Sequence, residues 1–268
     1  ESSGLWEHLD TDWMMLDCEL LPWSAKARAL VEDQFASVAA AGLAALPAAR
    51  AALDAAAGRG LDVAELAART EARQANIGAF AEVYQRYCWL TDGLEGVRLA
   101  PFQILATEGA NRADHRHDRH LALIDALVDA DATGTLMRTG RKFVELGTDD
   151  EQAATDWWTE LCAAGGEGMV VKPVMETRRP GKRLVQPGLK VRGREYLRII
   201  YGADYTEPEQ LERLRQRHLG HKRSQALREY ALGIEALDLT ASGAPLWQIH
   251  QMVFAILALE SEPVDPRL

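Results

Sequence analysis

The chain has 268 residues, a formal net charge of −10, 47% hydrophobic and 26% charged residues, the size and composition of a soluble globular protein of one or two domains. Its acidic balance speaks against bulk-charge binding of polyanions, no run of about 18 apolar residues offers a membrane span, and residues 1–15 lack the basic start and apolar middle of a signal peptide. Three cysteines (Cys18, Cys88, Cys162), far apart and without a CxxC, speak against a disulfide framework or zinc site and for a reducing, cytoplasmic setting.

In chain order, Trp13–Leu21 alternates. Met14, Leu16, Cys18 and Leu20 take one face, and Asp17 and Glu19 share the other, as in a strand with one buried face. The two acids repel unless a cation or a sugar hydroxyl engages them; an exposed acidic edge is the plainer alternative. From Ser24 to Leu90 alanine, leucine, glutamate and arginine predict a set of helices. Gly58-Arg59-Gly60 breaks the pattern, and Asp62 or Thr70 could cap the next helix. Tyr84, Tyr87 and Trp89 are expected to pack rather than to hold a ligand. Strand character returns at Leu99–Ala106, where Phe102 and Ile104 share a face, and burial statistics favour Phe102 as core over a stacking platform. Asp114-His115-Arg116-His117-Asp118-Arg119-His120 has the residue types of a metal cluster. Ligand histidines need a rigid frame and orienting partners, so a polar loop before a helix at Leu121–Val128 is the simpler reading. Leu136–Leu146, carrying Arg138, Arg141 and Lys142, is predicted as a strand.

Thr148-Asp149-Asp150-Glu151 has the form of a capping box opening a helix through Cys162. The stretch Gly165-Gly166-Glu167-Gly168-Met169-Val170-Val171-Lys172-Pro173 comes next. Its glycines free the backbone around Glu167, and Met-Val-Val has the bulk and β-branching of a buried strand. Carboxylate and ammonium at opposite ends of that strand suit a pocket for a metal and a phosphate. Taken alone, though, the nine residues describe a buried strand with charged ends. From Lys172 to Arg198, nine basic residues stand against Glu176 and Glu195, a local patch suited to phosphate. Within it lie a basic loop at Arg178–Arg183 and a second short strand, Gly188–Gly193, whose Lys190 and Arg192 project from one face. Arg194–Tyr201 reads as a helix or an irregular crossing segment. Helices are predicted at Glu207–Leu219, Lys222–Leu237 and Leu246–Leu259, and irregular chain at Glu260–Leu268.

Read in order, Leu16-Asp-Cys-Glu-Leu20, Phe102-Gln-Ile-Leu105, Glu167-Gly-Met-Val-Val-Lys172 and Leu189-Lys-Val-Arg192 resemble motifs of the covalent nucleotidyltransferases, the ATP-dependent ligases and capping guanylyltransferases. Three longer stretches narrow the match: Glu19–Ala27, Gly193-Arg-Glu-Tyr-Leu-Arg-Ile-Ile-Tyr-Gly202 and Glu260–Leu268. These resemble the ligase module of the bacterial RNA-repair polynucleotide kinase-phosphatase. The resemblance implies an α+β fold with an ATP-grasp-like antiparallel sheet core at 1–23 and 96–204, a helical insert at 24–95 and a C-terminal helical module at 205–268. It implies ATP and Mg²⁺ or Mn²⁺ as cofactors, with Glu167 on the metal and Lys172 and Lys190 on the nucleotide phosphates. Phe102 would stack on adenine, and Glu19 would contact the nucleoside or support the metal site. Arg192 stands where the wider superfamily often has a second lysine; planar and bidentate, it leaves its own phosphate contact open.

That superfamily's nucleophile, the lysine of a lysine-x-x-glycine motif, precedes the Asp17/Glu19 strand, and residues 1–15 contain no lysine. The expectation is therefore the C-terminal part of an RNA ligase module that works through lysyl-AMP and RNA-adenylate, with its nucleophile outside this sequence. The implied partners are RNA with broken ends, upstream kinase and phosphatase modules, and an RNA 2′-O-methyltransferase. The alternative is a non-catalytic nucleotide- or RNA-binding module of the same fold. Exposed apolar surface is expected in either case.

Overall fold

In the computed structural model, which describes residues 2–175, 184, 187–218 and 220–259, a short helix α1 (Leu5–Leu9) leads into β1 (Met14–Leu21). β1 pairs antiparallel with β2 (Arg98–Thr107), and β2 turns back into β3 (Ala110–Asn111), giving the order β1-β2-β3. Met14 and Leu16 pack beside the buried Leu9, Ile104 and Ile124, as their alternation predicts. Leu20 does not follow them: it is exposed. Two register shifts, between Met15 and Leu16 and between Asp17 and Cys18, each add an unpaired residue on β2. Asp17 faces Gln103 while Cys18 faces Pro101, so Phe102 is left without a partner across the ladder. Bulges of this kind re-aim side chains. Ile104 enters the core, only 1% exposed, and Phe102 stays half-buried instead of following it.

The alanine-rich segment forms α2 (Trp23–Lys26), α3 (Arg28–Leu30), a π-helical stretch at Val31–Ala36, α4 (Ser37–Gly58) and α5 (Ala64–Gln85). The break falls at Gly58–Gly60, but neither predicted cap is used. α5 starts at Ala64 without a side-chain cap, because Ala64–Ala68 already favours helix. Thr70 lies inside it, buried, with its hydroxyl donating to the Leu66 carbonyl at 2.8 Å. The continuous helix Arg28–Gly58 is long and apolar enough, by length and composition, to cross a membrane, contrary to the expectation that no segment would be. Much of that hydropathy is alanine, and Arg50 ties the helix to α5 through Glu71 at 2.6 Å. Phe35, Phe80 and Tyr84 meet edge-on or tilted and pack with Tyr196 and Ile199, which fastens this helical arm to the chain beyond the last strand.

α6 (His117–Asp129) begins four residues before the predicted Leu121 and takes His117 and His120 out of the loop. The strand predicted at Leu136–Leu146 does not form. Only Leu136 bridges Leu99, with Leu99 N–H donating to Thr135 O and Met137 N–H to Leu99 O, both at 2.9 Å. Arg138 pairs with Asp125 and Asp129, and Arg141 with Asp125, so ion pairs to α6 rather than a ladder set the path of this segment. α7 (Asp150–Ala163) opens on a variant of the expected box, in which Glu151 accepts from Gly147 N–H and Thr148 from Asp150 N–H.

β4 (Gly168–Val171) and β5 (Leu189–Arg192) form a separate antiparallel pair, followed by α8 (Leu197–Tyr201). The chain ends in α9 (Pro208–Arg215), α10 (Gly220–Ala241) and α11 (Leu246–Leu259). α10 is anchored to the β2–β3 turn by Gly109 N–H to Ala241 O at 3.0 Å and by Asn111 to Asp238 at 2.9 Å. α11 leaves Leu246, Trp247, Phe254 and Leu257 exposed. The fold is thus α+β, antiparallel in its strands, with helices between β1 and β2 and at the end. The basic loop Arg178–Arg183 and the motif Glu260–Leu268 lie outside the described residues.

Candidate functional site

The β4–β5 pair is built on a position only glycine can hold. Gly168 has φ +119°, and a Cβ there would lie 2.2 Å from the Val191 carbonyl oxygen. With that close approach, Gly168 pairs with Arg192, Val170 with Lys190 and Val171 with Leu189. Alternation then sets Arg192 and Lys190 on one face, and carrying it one step past the strand adds Lys172. The same-face placement expected for Lys190 and Arg192 is what the register gives. Val171, Leu189 and Val191 are exposed, part of the expected apolar surface.

At one end of the pair, Glu167 and Arg192 form an ion pair at 2.7 Å, each side chain 24% exposed. Tyr196 hydrogen-bonds the Glu167 carboxylate, and burial together with that negative charge raises the phenol's pKa. Tyr87, pushed up to about 12 mainly by burial and then by Glu167, donates to the Gly165 carbonyl at 3.0 Å. Trp23 stacks on Tyr87 with centroids 5.0 Å apart and meets Tyr196 edge-on at 5.9 Å. The Arg192 guanidinium lies 4.9 Å from the Tyr196 ring centre. Behind this cage, Arg198 is buried and holds several acceptors at once. It donates to Glu195 at 2.6 Å, to Asn76 of α5 at 3.0 Å and to the Ala203 carbonyl at 2.5 Å. Arg198 therefore belongs to the scaffold, not to the basic surface that the sequence suggested.

The other end is organised by Lys172. Its ammonium lies 4.5 Å from the centre of the Phe102 ring. Burial lowers its pKa, while the negative charge of Asp17 acts in the opposite sense. Asp17 in turn is raised by burial, drawn back by Lys172 and raised again by Glu19. The acid whose charge reaches Lys172 is therefore Asp17, while Glu19, two residues on, sits exposed opposite Ala100. His117 and His120 close this side. Burial holds both imidazoles down to about 4, and Lys172 adds to the effect. His120 Nδ1 accepts from Ile104 N–H at 3.4 Å, while its buried Nε2 has no hydrogen-bond partner among the described residues. His117 N–H donates to Val174 O at 3.1 Å, tying α6 to the chain just past Lys172.

Phe102, Lys172, Lys190, Arg192 and Glu167 are thus on or beside the β4–β5 pair, and Glu19 lies on β1 beyond Asp17. Tyr87 was expected only to pack, yet it touches this site. Tyr196, Trp23 and His117 were not singled out for it; the signal available was that Trp23 and Tyr196 stand within the two long stretches, Glu19–Ala27 and Gly193–Gly202, that carry the resemblance. Among the described residues no group of three or more His, Cys, Asp or Glu is arranged to hold a metal. The donor set still fits a hard cation: Mg²⁺ commonly takes one or two carboxylates and completes its shell with phosphate and water, and Glu167 is such a carboxylate.

A three-stranded and a two-stranded antiparallel sheet, framed by helices, with carboxylates and lysines beside an aromatic ring, make this an α+β protein. The family model for the PNKP adenylyltransferase domain, ligase domain, matches residues 1–263, and the chain belongs to that family. The fold resembles a chain of the solved "Structure of Pnkp1/Rnl/Hen1 complex", with a TM-score of 0.65 and 17% identity, over 99% of this chain and 75% of that one. No curated protein sequence matches the chain.

Proposed function

We propose that the chain forms the ATP- and metal-binding part of an RNA ligase that seals broken RNA ends through lysyl-AMP and RNA-adenylate, and that none of its own lysines carries the AMP. The observation that carries this reading is the charge pattern on one face of β4–β5. Lys190, Arg192 and, one step past the strand, Lys172 share it, with Arg192 paired to Glu167 at one end and Lys172 against the Phe102 ring at the other. Attack at an α-phosphate builds negative charge, which fixed cations stabilise in a pocket already organised for them. Lys172 and Lys190 take the phosphates, Phe102 offers a flat face to adenine, and Glu19 or its neighbour Asp17 faces the nucleoside. When bound at Glu167, Mg²⁺ or Mn²⁺ supplies further charge neutralisation at the phosphates. Arg192 has a second task, since it must share Glu167 with the cation. The reading extends to a working protein that acts in the cytoplasm with kinase and phosphatase modules and an RNA 2′-O-methyltransferase, which the resemblance supports.

The test is incubation with α-labelled ATP and Mg²⁺ or Mn²⁺, followed by a binding measurement and denaturing electrophoresis. The expected result is bound nucleotide with no label surviving denaturation. Absence of binding would overturn the proposal. Label that survives, and is lost in Lys190→Ala, would place a nucleophile within this chain and reassign that lysine.

A further inference from the structure

We infer that Lys172 is a specificity-determining residue: its ammonium occupies the Phe102 platform when no nucleotide is bound, so the pocket selects nucleotides over nucleosides. The inference rests on the reading of this pocket as an ATP site. Its starting point is the position of Nζ, 4.5 Å from the Phe102 ring centre, where a stacking base would lie. A purine and an ammonium cannot share that face. The register shift that leaves Phe102 unpaired on β2 presents the ring to Lys172 instead of burying it with Ile104.

The lysine stem has little freedom to retreat as a whole. Val170 and Val171 hold it in the ladder on one side, and the Val174 carbonyl is bound to the first turn of α6 on the other. What can move is the side chain, about its own bonds. A nucleotide offers the ammonium a new counter-charge, the phosphate, in exchange for the ring and Asp17. A nucleoside brings a base but no phosphate. It must displace a half-buried cation with nothing to receive it. Phosphate binding and base stacking are thereby coupled through one side chain.

The experiment compares Mg·ATP and adenosine binding to the wild-type chain and to Lys172→Ala, with circular dichroism confirming that the variant is folded. Lys172→Ala should bind ATP at least about tenfold more weakly and adenosine about fivefold more tightly, the value of one partly desolvated cation–π contact. The adenosine gain should vanish in the double variant Lys172→Ala, Phe102→Leu. Adenosine affinity that is unchanged, weaker or undetectable in Lys172→Ala, while the wild type binds ATP, would overturn this inference and leave the ATP site standing. Failure of the wild type to bind Mg·ATP would overturn both.

Discussion

The two ends of the β4–β5 pair carry similar residue types in opposite states. At the Glu167 end, acid and base are already matched: Arg192 holds Glu167 at 2.7 Å, and an aromatic cage with a buried, hydrogen-bonded Arg198 stands behind them. At the Lys172 end, charge is gathered but poorly compensated. A half-buried lysine faces an aromatic ring, an acid with a raised pKa and two histidines kept neutral. The first arrangement is what stability selects, and the second is what a ligand completes. Ground-state charge left waiting in a partly desolvated pocket is costly unless something binds there.

If that contrast is real, damage to the two ends should look different. The largest stability loss belongs behind the matched end. Arg198→Ala strands the Asn76 and Ala203 acceptors, and should cost about 3 kcal/mol, read as a drop in the urea midpoint. An unchanged midpoint would mean that the network is passive. Next comes pH, which acts on the other end. Folded His117 and His120 stay neutral down to about 4, whereas unfolded histidine takes its proton near 6.5. Between those values the unfolded chain binds more protons, so stability is full above 6.5 and falls as the pH drops towards 4. For the buried His120 the loss is about 2 kcal/mol. Asp17, shifted upwards, gives some of it back on acidification. Melting temperature followed across that range should fall, and His120→Gln should flatten the slope. A slope unchanged by that substitution would move the effect to other groups.

Smaller still is the ion pair itself. Glu167→Gln should cost about 1 kcal/mol, because each partner is a quarter exposed. It should also lower the Tyr87 ionisation from its value of about 12, since Glu167 is one of the charges that raise it. A spectrophotometric tyrosine titration separates the two effects. A Tyr87 that titrates as before would show the carboxylate to be electrostatically remote.

What could be read in the sequence was what lies close along the chain. Gly168, the Met-Val-Val run and the spacing of Lys190 and Arg192 are local features, and they gave β4, β5 and their charged face; the burial expected of Met-Val-Val they did not give, since Val170 and Val171 are exposed. α11 also begins where its pattern says. The failures are cross-chain. Phe102 parts from Ile104 because of a register shift against β1, which no periodicity in β2 encodes. Leu136–Leu146 was expected to be a strand, but Arg138 and Arg141 find their acids on α6. Tyr87 and Tyr196 meet Glu167 only after the helical arm has folded back. Asp17 and Glu19 are equivalent in sequence, and only the bulge and Lys172 distinguish them.

Nucleotide, on this reading of the pocket, completes the Lys172 end. A crystal structure with Mg·ATP tests that most directly. The expected result is adenine stacked on Phe102 where the Lys172 ammonium now lies, with that ammonium moved onto a phosphate oxygen. Nucleotide bound elsewhere, or Lys172 still seated on Phe102 with ATP present, would contradict it.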